Sequence, residues 1–202
     1  MTRPHIAIII GTTRKHRFAD KPARWLHDIA SQRDDMSFEL VDLRDFDLPF
    51  FDEAGPIAFA PTTEPRALAW QERITGFDGY IFMTPEYNYS IPASLKNALD
   101  QAYVQWNRKP AAVFGYGGVG AARAVEALRN VFVALQMVPI GKAVHLAAGE
   151  FFKVSPLGAD GPMDEVAEVL TPSVDAMLDD LSWWAQATRN ARRADSETAR
   201  AA

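Results

Sequence analysis

Three short stretches hold nearly all the residues of this chain whose types and spacing can do chemistry. The first is Gly11-Thr12-Thr13-Arg14-Lys15-His16-Arg17, which follows an isoleucine-rich run. A glycine and small hydroxyl residues let the backbone fold into a cradle of N–H groups, and a helix start adds a positive partial charge. Basic side chains in a row suit a phosphate, although the glycine-lysine spacing of a P-loop is absent. The second stretch is Thr84-Pro85-Glu86-Tyr87-Asn88-Tyr89-Ser90-Ile91-Pro92. Its prolines stiffen it, its tyrosines offer ring faces, and Asn88 and Ser90 offer hydrogen bonds, as a planar heterocycle requires of its surroundings. Ser90 lacks the flanking glycines of a nucleophile elbow. The third stretch, Gly115-Tyr116-Gly117-Gly118-Val119-Gly120, matches the G-x-G-x-x-G dinucleotide fingerprint literally. It follows the fourth strand rather than the first, and no acidic residue stands about twenty positions on, where the chain reads Gln136 to Ile140.

The elements around these loops alternate. His5 to Ile10 is a continuous apolar run, as expected of a strand covered on both faces. Further strands are read at Phe38 to Leu43, Tyr80 to Thr84, Pro110 to Phe114 and Lys142 to Leu146. Between them, Trp25, Leu26 and Ile29 mark a first helix, Glu64 to Thr75 a second and Ala121 to Met137 a long one. Leu95, Ala98, Leu99, Ala102, Tyr103 and Trp106 fall on one helical face. From Pro162 a last helical region places Val166, Leu170, Val174, Met177, Leu181 and Trp184 on one side, with Pro172 expected to kink it or to start a second helix. This order predicts an α/β domain, a five-stranded parallel sheet with helices on both faces, over residues 1–188. The polar, Ala/Arg-rich tail 189–202 is expected to fray or be disordered. Ligands of such sheets bind beyond the carboxyl ends of the strands, where all three loops lie.

Composition narrows the chemistry. The chain has no cysteine, which removes thiolate catalysis, disulfides and cysteine-held metal clusters. Its histidines, His5, His16, His27 and His145, are not at metal-ligand spacing. A net charge of -5 gives no basic footprint for nucleic acid. No apolar run approaches the ~18 residues of a membrane span, and no apolar leader precedes the first strand, so a cytoplasmic location is expected.

The run Pro85-Glu86-Tyr87-Asn88-Tyr89-Ser90-Ile91-Pro92-Ala93-Ser94-Leu95-Lys96-Asn97-Ala98-Leu99-Asp100 resembles the signature of the NADPH-dependent FMN reductase family, and the resemblance extends from about His5 to about Leu146. It implies a flavodoxin-like three-layer sandwich, FMN as bound cofactor, and NADPH or NADH as hydride donor. It further implies a ping-pong cycle that passes hydride through FMN to a small acceptor, with the flavin, not a side chain, carrying the chemistry. Family members reduce free flavin, quinones, azo dyes, nitroaromatics or chromate. The resemblance assigns the FMN phosphate to Thr12, Thr13, Arg14 and Arg17. It assigns the ribityl chain and ring to Pro85, Glu86, Tyr87, Asn88 and Ser90, and the pyrimidine edge to Gly117 and Gly118. The glycine stretch then reads as a bare backbone face for a flat ring. The chain departs from many relatives in its first loop, where a second serine and an asparagine are common and here Arg17 and Ala19 or Asp20 stand nearby.

Two further segments resemble family features. Asp45 to Asp52 is similar to a loop that borders a neighbouring subunit's site, and the Leu95 to Trp106 helix is similar to a subunit-contact helix. A homodimer or dimer of dimers is the resulting expectation. The rival readings are a flavodoxin-type electron carrier and a non-catalytic FMN-binding module. Carriers are usually much more acidic than this chain, whose pI is ≈ 5.4. A non-catalytic module would be expected to have degraded loops.

Overall fold

The central strand shows why the chain folds as it does. In the computed structural model, which describes residues 3–201 with the side chains of 200 and 201 excepted, β1 (His5–Ile10) is buried along almost its whole length. Ile6, Ile8 and Ile10 enter one apolar cluster, and Ala7 and Ile9 enter another on the opposite face. A strand buried on both sides has no reason to alternate polar and apolar residues, which accounts for its unbroken apolar run. Positions 1, 2 and 202 of the expected domain and tail lie outside the described residues.

Around β1 the sheet has the strand order β2-β1-β3-β4-β5, every neighbouring pair parallel. The other strands are β2 (Ser37–Asp42), β3 (Gly79–Pro85), β4 (Pro110–Tyr116) and β5 (Val138–Leu146). Helices α1 (Asp20–Ala30), α5 (Ala148–Val154) and α6 (Asp164–Ala201) bury their apolar faces against one side. Helices α2 (Pro65–Thr75), α3 (Ala93–Asp100) and α4 (Ala122–Ala134) cover the other. This is the expected three-layer α/β sandwich, in the flavodoxin-like order. Because β1 lies between β2 and β3, its carboxyl end is the topological switch point, next to the ends of β3 and β4.

Four details differ from the sequence reading. Helix α3 stops at Asp100, and the chain then winds through turns to Trp106. Ala102 and Trp106 are nonetheless buried, and the Trp106 indole N–H donates to Leu99 O at 3.2 Å. The apolar spacing therefore recorded burial beyond the end of the helix. Strand β5 begins at Val138, ahead of the expected Lys142 to Leu146 segment, and a register shift against β4 lies between Ala111 and Val113. Helix α5 has too few residues for a periodic signal. Finally, α6 runs through Pro172 as one helix and continues through the segment expected to fray. Pro172 is solvent-exposed, so the carbonyl that loses its amide partner faces water. Past residue 188, Arg192 donates to Asp78 Oδ1 at 2.9 Å and to Arg108 O at 2.7 Å, fastening the helix across the start of β3 and β4.

Candidate flavin site

The loops after β1, β3 and β4 and the segment after β5 enclose a cavity of about 310 Å³ at the carboxyl end of the sheet. Arg14, His16, Arg17 and Phe18 come from the first loop, Pro85, Glu86 and Tyr87 from the second, and Tyr116, Gly117 and Gly118 from the third. Phe151, Ser155, Pro156 and Leu157, from α5 and the residues after it, close the remaining side.

The first loop is bound into the sheet. Gly11 donates its N–H to Met83 O at 3.0 Å, and a Cβ at that position would stand 2.9 Å from both Met83 O and Leu95 Cδ2. Only glycine lets β1 exit this close to β3. Thr12 is buried, with its hydroxyl 3.1 Å from the Tyr87 phenol. Arg14 is exposed, and its guanidinium stands 5.4 Å from the centroid of the Tyr87 ring. Thr13 turns the other way, toward a separate hollow beside Ser94 and Asn97.

Arg17, read from the sequence as a phosphate ligand, is already engaged by this protein's own carboxylates. Its NH1 donates to Asp42 Oδ1 at 2.6 Å and to Thr12 O at 2.7 Å, and its Nε donates to Asp20 Oδ1 at 2.9 Å. NH2 reaches both Asp20 and Asp42. Burial alone would lower the Arg17 pKa, but its hydrogen bonds to Asp42 and Asp20 raise it above the ordinary value. Asp20 and Asp42 stand against Arg17 and, at 3.7 Å from Asp20, Arg44, so two carboxylates balance two guanidiniums and the cluster has no surplus positive charge. Arg14, beside it, is a cation on the cavity wall.

The second loop is a tight hairpin. Tyr87 and Ser90 exchange backbone hydrogen bonds of 2.9 and 3.0 Å, with Asn88 and Tyr89 at φ 49° and 69° between them. Two consecutive left-handed residues define a type I′ turn, a conformation asparagine tolerates well. The turn puts Pro85, Glu86 and Tyr87 on the cavity wall and leaves Asn88 and Ser90 exposed outside it. Glu86 is fixed by α4: Arg123 N–H donates to its Oε2 at 3.1 Å and Arg123 Nε to its Oε1 at 2.6 Å. Burial raises the Glu86 pKa, but the bonds from Arg123 outweigh it and hold the carboxyl below its usual range. Glu86 is thus an anionic cap for a helix whose own N-cap, Ala121, supplies no side-chain bond. Arg123 also covers the Tyr89 ring, 3.8 Å from its centroid.

The third loop is bare where the cavity needs it to be. A Cβ at Gly117 or Gly118 would meet nothing within 4 Å, so the backbone there faces open space. Gly117 has φ +139°, a conformation that side chains strongly disfavour. At Gly115 and Gly120 the constraint is packing, with a Cβ 2.6 Å from Gly120 O in the first case and 2.9 Å from His145 Cβ in the second. Next to the loop, Phe18 sits edge-on between Tyr116 and Phe151, with centroids 5.4 Å from each.

The cavity thus joins an aromatic and proline wall, a bare peptide face, a phenol–hydroxyl pair and a cation. These residues fit a flat heteroaromatic ring carrying an anionic tail. Of the residues singled out from sequence, Arg14, Arg17, Pro85, Glu86, Tyr87, Gly117 and Gly118 meet on its wall, and Thr12 supports Tyr87 from beneath. Thr13, Asn88 and Ser90 lie off it. The sequence reading passed over Phe18, Tyr116, Phe151, Ser155, Pro156 and Leu157. The available signal was positional: whatever follows β5 must border the same end of the sheet. Among the described residues no group of acidic and histidine side chains could hold a metal, and no helix is long and apolar enough to cross a membrane.

Comparison with known proteins agrees with this geometry. The family model for NADPH-dependent FMN reductase matches residues 4–150. The chain belongs to the NADPH-dependent FMN reductase family. It is thereby a flavin-dependent oxidoreductase whose cofactors are FMN and NAD(P)H. It is 37% identical over 147 residues to an NAD(P)H-dependent FMN reductase of Schizosaccharomyces pombe, covering 71% of this chain and 74% of the relative. It is 35% identical over 140 residues to a 2-hydroxy-1,4-benzoquinone reductase of a Burkholderia species, covering 66% and 72% respectively. Among solved structures, the NAD(P)H:acceptor oxidoreductase FerB of Paracoccus denitrificans superposes with a TM-score of 0.67 at 28% identity, over 88% of this chain and 97% of that one.

Proposed function

We propose that this member of the family holds FMN in the cavity above β1, β3 and β4 and uses NAD(P)H to reduce a small quinone-type acceptor, the two substrates taking turns at the same flavin face. The observation that carries the reading is the open peptide face of Gly117 and Gly118 beside the Pro85–Tyr87 edge, on the wall of one cavity where a flat ring can lie. When bound, FMN supplies the redox chemistry, accepting a hydride from the nicotinamide and returning it to the acceptor.

The protein's part is placement. The Pro85-Glu86-Tyr87 edge is held rigid by the hairpin and by the tie from Glu86 to α4. The Tyr87 phenol, placed by Thr12, offers a hydrogen-bonding group on the wall, and Arg14 offers a positive charge at the phosphate end. The relative that reduces 2-hydroxy-1,4-benzoquinone supports a quinone as the acceptor class. A cytoplasmic location and a homodimer complete the proposal. Phe50 and Phe59, 82% and 87% exposed on the loop between β2 and α2, are the apolar groups such a dimer would cover. The apolar side of Leu95 to Trp106, by contrast, is committed to this chain's own core.

The deciding experiment is a visible spectrum of the purified protein followed by anaerobic addition of NADPH. A yellow protein that NADPH bleaches, and that a benzoquinone then restores, is the expected result. A yellow protein indifferent to both nicotinamides would mark an electron carrier. A colourless protein that takes up no FMN would reject the flavin reading outright.

A further inference from the structure

Two buried side-chain oxygens among the described residues have no hydrogen-bond partner, the Tyr116 phenol and the Ser155 hydroxyl, and both residues line this one cavity. Tyr116 is 4% exposed and Ser155 is 0% exposed. Leaving one buried polar group unpaired costs about 1–3 kcal/mol. Two such groups lining one cavity point to a partner that the ligand supplies.

Their surroundings say which part of a ligand this is. Tyr116 lies edge-on to Phe18, just before α1, and its phenol senses the charges of Arg17, Arg14 and Asp20. Burial, followed by the nearby Tyr87, pushes the phenol well above its ordinary pKa, so it stays a neutral O–H donor. Ser155 is brought to the same place by Lys21 in the first turn of α1, whose Nζ donates to Val154 O at 2.8 Å and to Gly161 O at 3.1 Å. Its backbone is fixed as well: Ser155 N–H donates to Phe151 O at 2.9 Å, and Ser155 O accepts from Gly158 and Asp160. Helix α1 starts at Asp20 with no side-chain cap; Lys21 N–H is taken by Phe18 O at 3.1 Å and Pro22 has no N–H, so its start offers few backbone donors and side-chain hydroxyls must serve an anion here. Arg17, the nearest cation of the same loop, has its donors committed to Asp20, Asp42 and Thr12.

Building on the proposed flavin site, we infer that Tyr116 and Ser155 are the hydroxyl donors to the terminal phosphate of FMN in this chain, with Arg14 supplying the positive charge and Arg17 holding the loop in shape. The two hydroxyls lie outside the β1 loop, whose position 17 is a committed arginine. They come from the ends of β4 and α5 rather than from the β1 loop.

Titration of the flavin-free full-length protein with FMN and with riboflavin, which lacks the phosphate, tests this in wild type, Tyr116→Phe and Ser155→Ala. Hydrogen bonds to a charged group are worth enough that each deletion should weaken FMN by about tenfold or more. Riboflavin affinity should be unchanged. Each deletion should also leave the melting temperature of the flavin-free protein unchanged or raised, because it removes an unpaired polar atom. Equal losses for FMN and riboflavin, or no loss for either, would overturn the assignment. So would a raised KM for NADPH but not NADH with FMN binding intact, because the phosphate held there would then be the nucleotide's. If wild type binds no FMN at all, the flavin reading itself falls and this inference with it. If wild type binds FMN and the variants bind it equally well, only this inference falls.

Discussion

Arg17 and Asp42 form a bidentate pair that ties the loop after β1 to the end of β2, with NH1 donating to Oδ1 at 2.6 Å and NH2 to Oδ2. The Arg17 side chain is 1% exposed and that of Asp42 is 25% exposed. Asp20, at the start of α1, closes the cluster from the other side. The chain has thus converted a loop position that could meet ligand into an internal brace joining three elements.

Removing one partner should therefore cost stability before it costs binding. Replacing Asp42 by Asn leaves a buried guanidinium short of charge, and the loss should be about 2–3 kcal/mol, below the fully buried case because Asp42 is partly solvated. Burial raises the Asp42 pKa, but hydrogen bonds from Arg17 and Arg44 N–H outweigh it, and the folded value lies below the ordinary one. For a depressed carboxylate the stabilisation is present above its unfolded pKa and is lost as pH falls through the folded one. Urea denaturation should give a constant gap between wild type and Asp42→Asn from pH 8 to about 5, narrowing below about pH 4. A gap independent of pH down to pH 3 would contradict the assignment.

The Glu86 cap predicts a different pattern. Glu86→Ala removes the acceptor for Arg123 N–H at the uncapped start of α4 and leaves Arg123 held only by its contact with Tyr89. A charged cap of this kind is worth about 1–2 kcal/mol. The second loop should also loosen, so flavin affinity is expected to fall together with stability. Glu86→Gln, which keeps an acceptor oxygen, should recover much of both. Parallel denaturation and flavin titration of the two variants check the coupling.

The neighbouring glycines separate backbone strain from ligand space. Gly117→Ala forces a side chain into φ +139°, at a cost of roughly 1–3 kcal/mol. Gly118 has open space around its Cβ direction and no such φ, so Gly118→Ala should fold with nearly wild-type stability. Its methyl would nevertheless stand on the cavity wall, and FMN binding should weaken. A Gly118→Ala protein that binds FMN as tightly as wild type would place the ring elsewhere.

The order of elements was legible because β1 is apolar from Ile6 to Ile10 and the Val166 to Leu181 stripe repeats with helical period. The loops that meet over the switch point were legible for the same reason, since sheet order alone brings the ends of β1, β3 and β4 together. Arg17 was not legible as a brace. Its partner Asp42 is 25 residues away and ends a different strand, and no local pattern announces the pair. Ser155 was hidden behind α5, which has too few turns to show a period. Ala102 and Trp106 continue the apolar spacing of α3 after the helix has ended, because side chains fill the core whether or not the backbone stays helical.

At the far end of the sheet from the cavity, Lys109 gives a prediction that involves no flavin. It immediately precedes β4, is buried, and donates from Nζ to Thr75 O at 2.9 Å and to the Tyr80 phenol at 3.0 Å. Burial, followed by repulsion from Arg192 and against the pull of Asp78, lowers its pKa to about 7. Arg189 and Arg192 of α6 both pair with Asp78 here, so two guanidiniums already engage the carboxylate nearest Lys109. An unfolded lysine titrates near 10.4, so between about pH 7 and 10 the unfolded chain binds more protons than the folded one. Stability must then rise with pH across that window, by an amount on the order of a few kcal/mol, and stay level below it as far as Lys109 is concerned. The Tyr80 phenol, raised well above its ordinary value by burial, reverses the trend above about pH 10, where an unfolded tyrosine ionises and the folded one does not. Lys109→Met should lose the rise while keeping the fold, because the side chain already sits among Ile74, Tyr80 and other buried groups. Thermal melts of wild type and Lys109→Met at half-unit steps from about pH 6 to 10 measure the slope directly, and identical slopes would mean that Lys109 stays charged inside the fold.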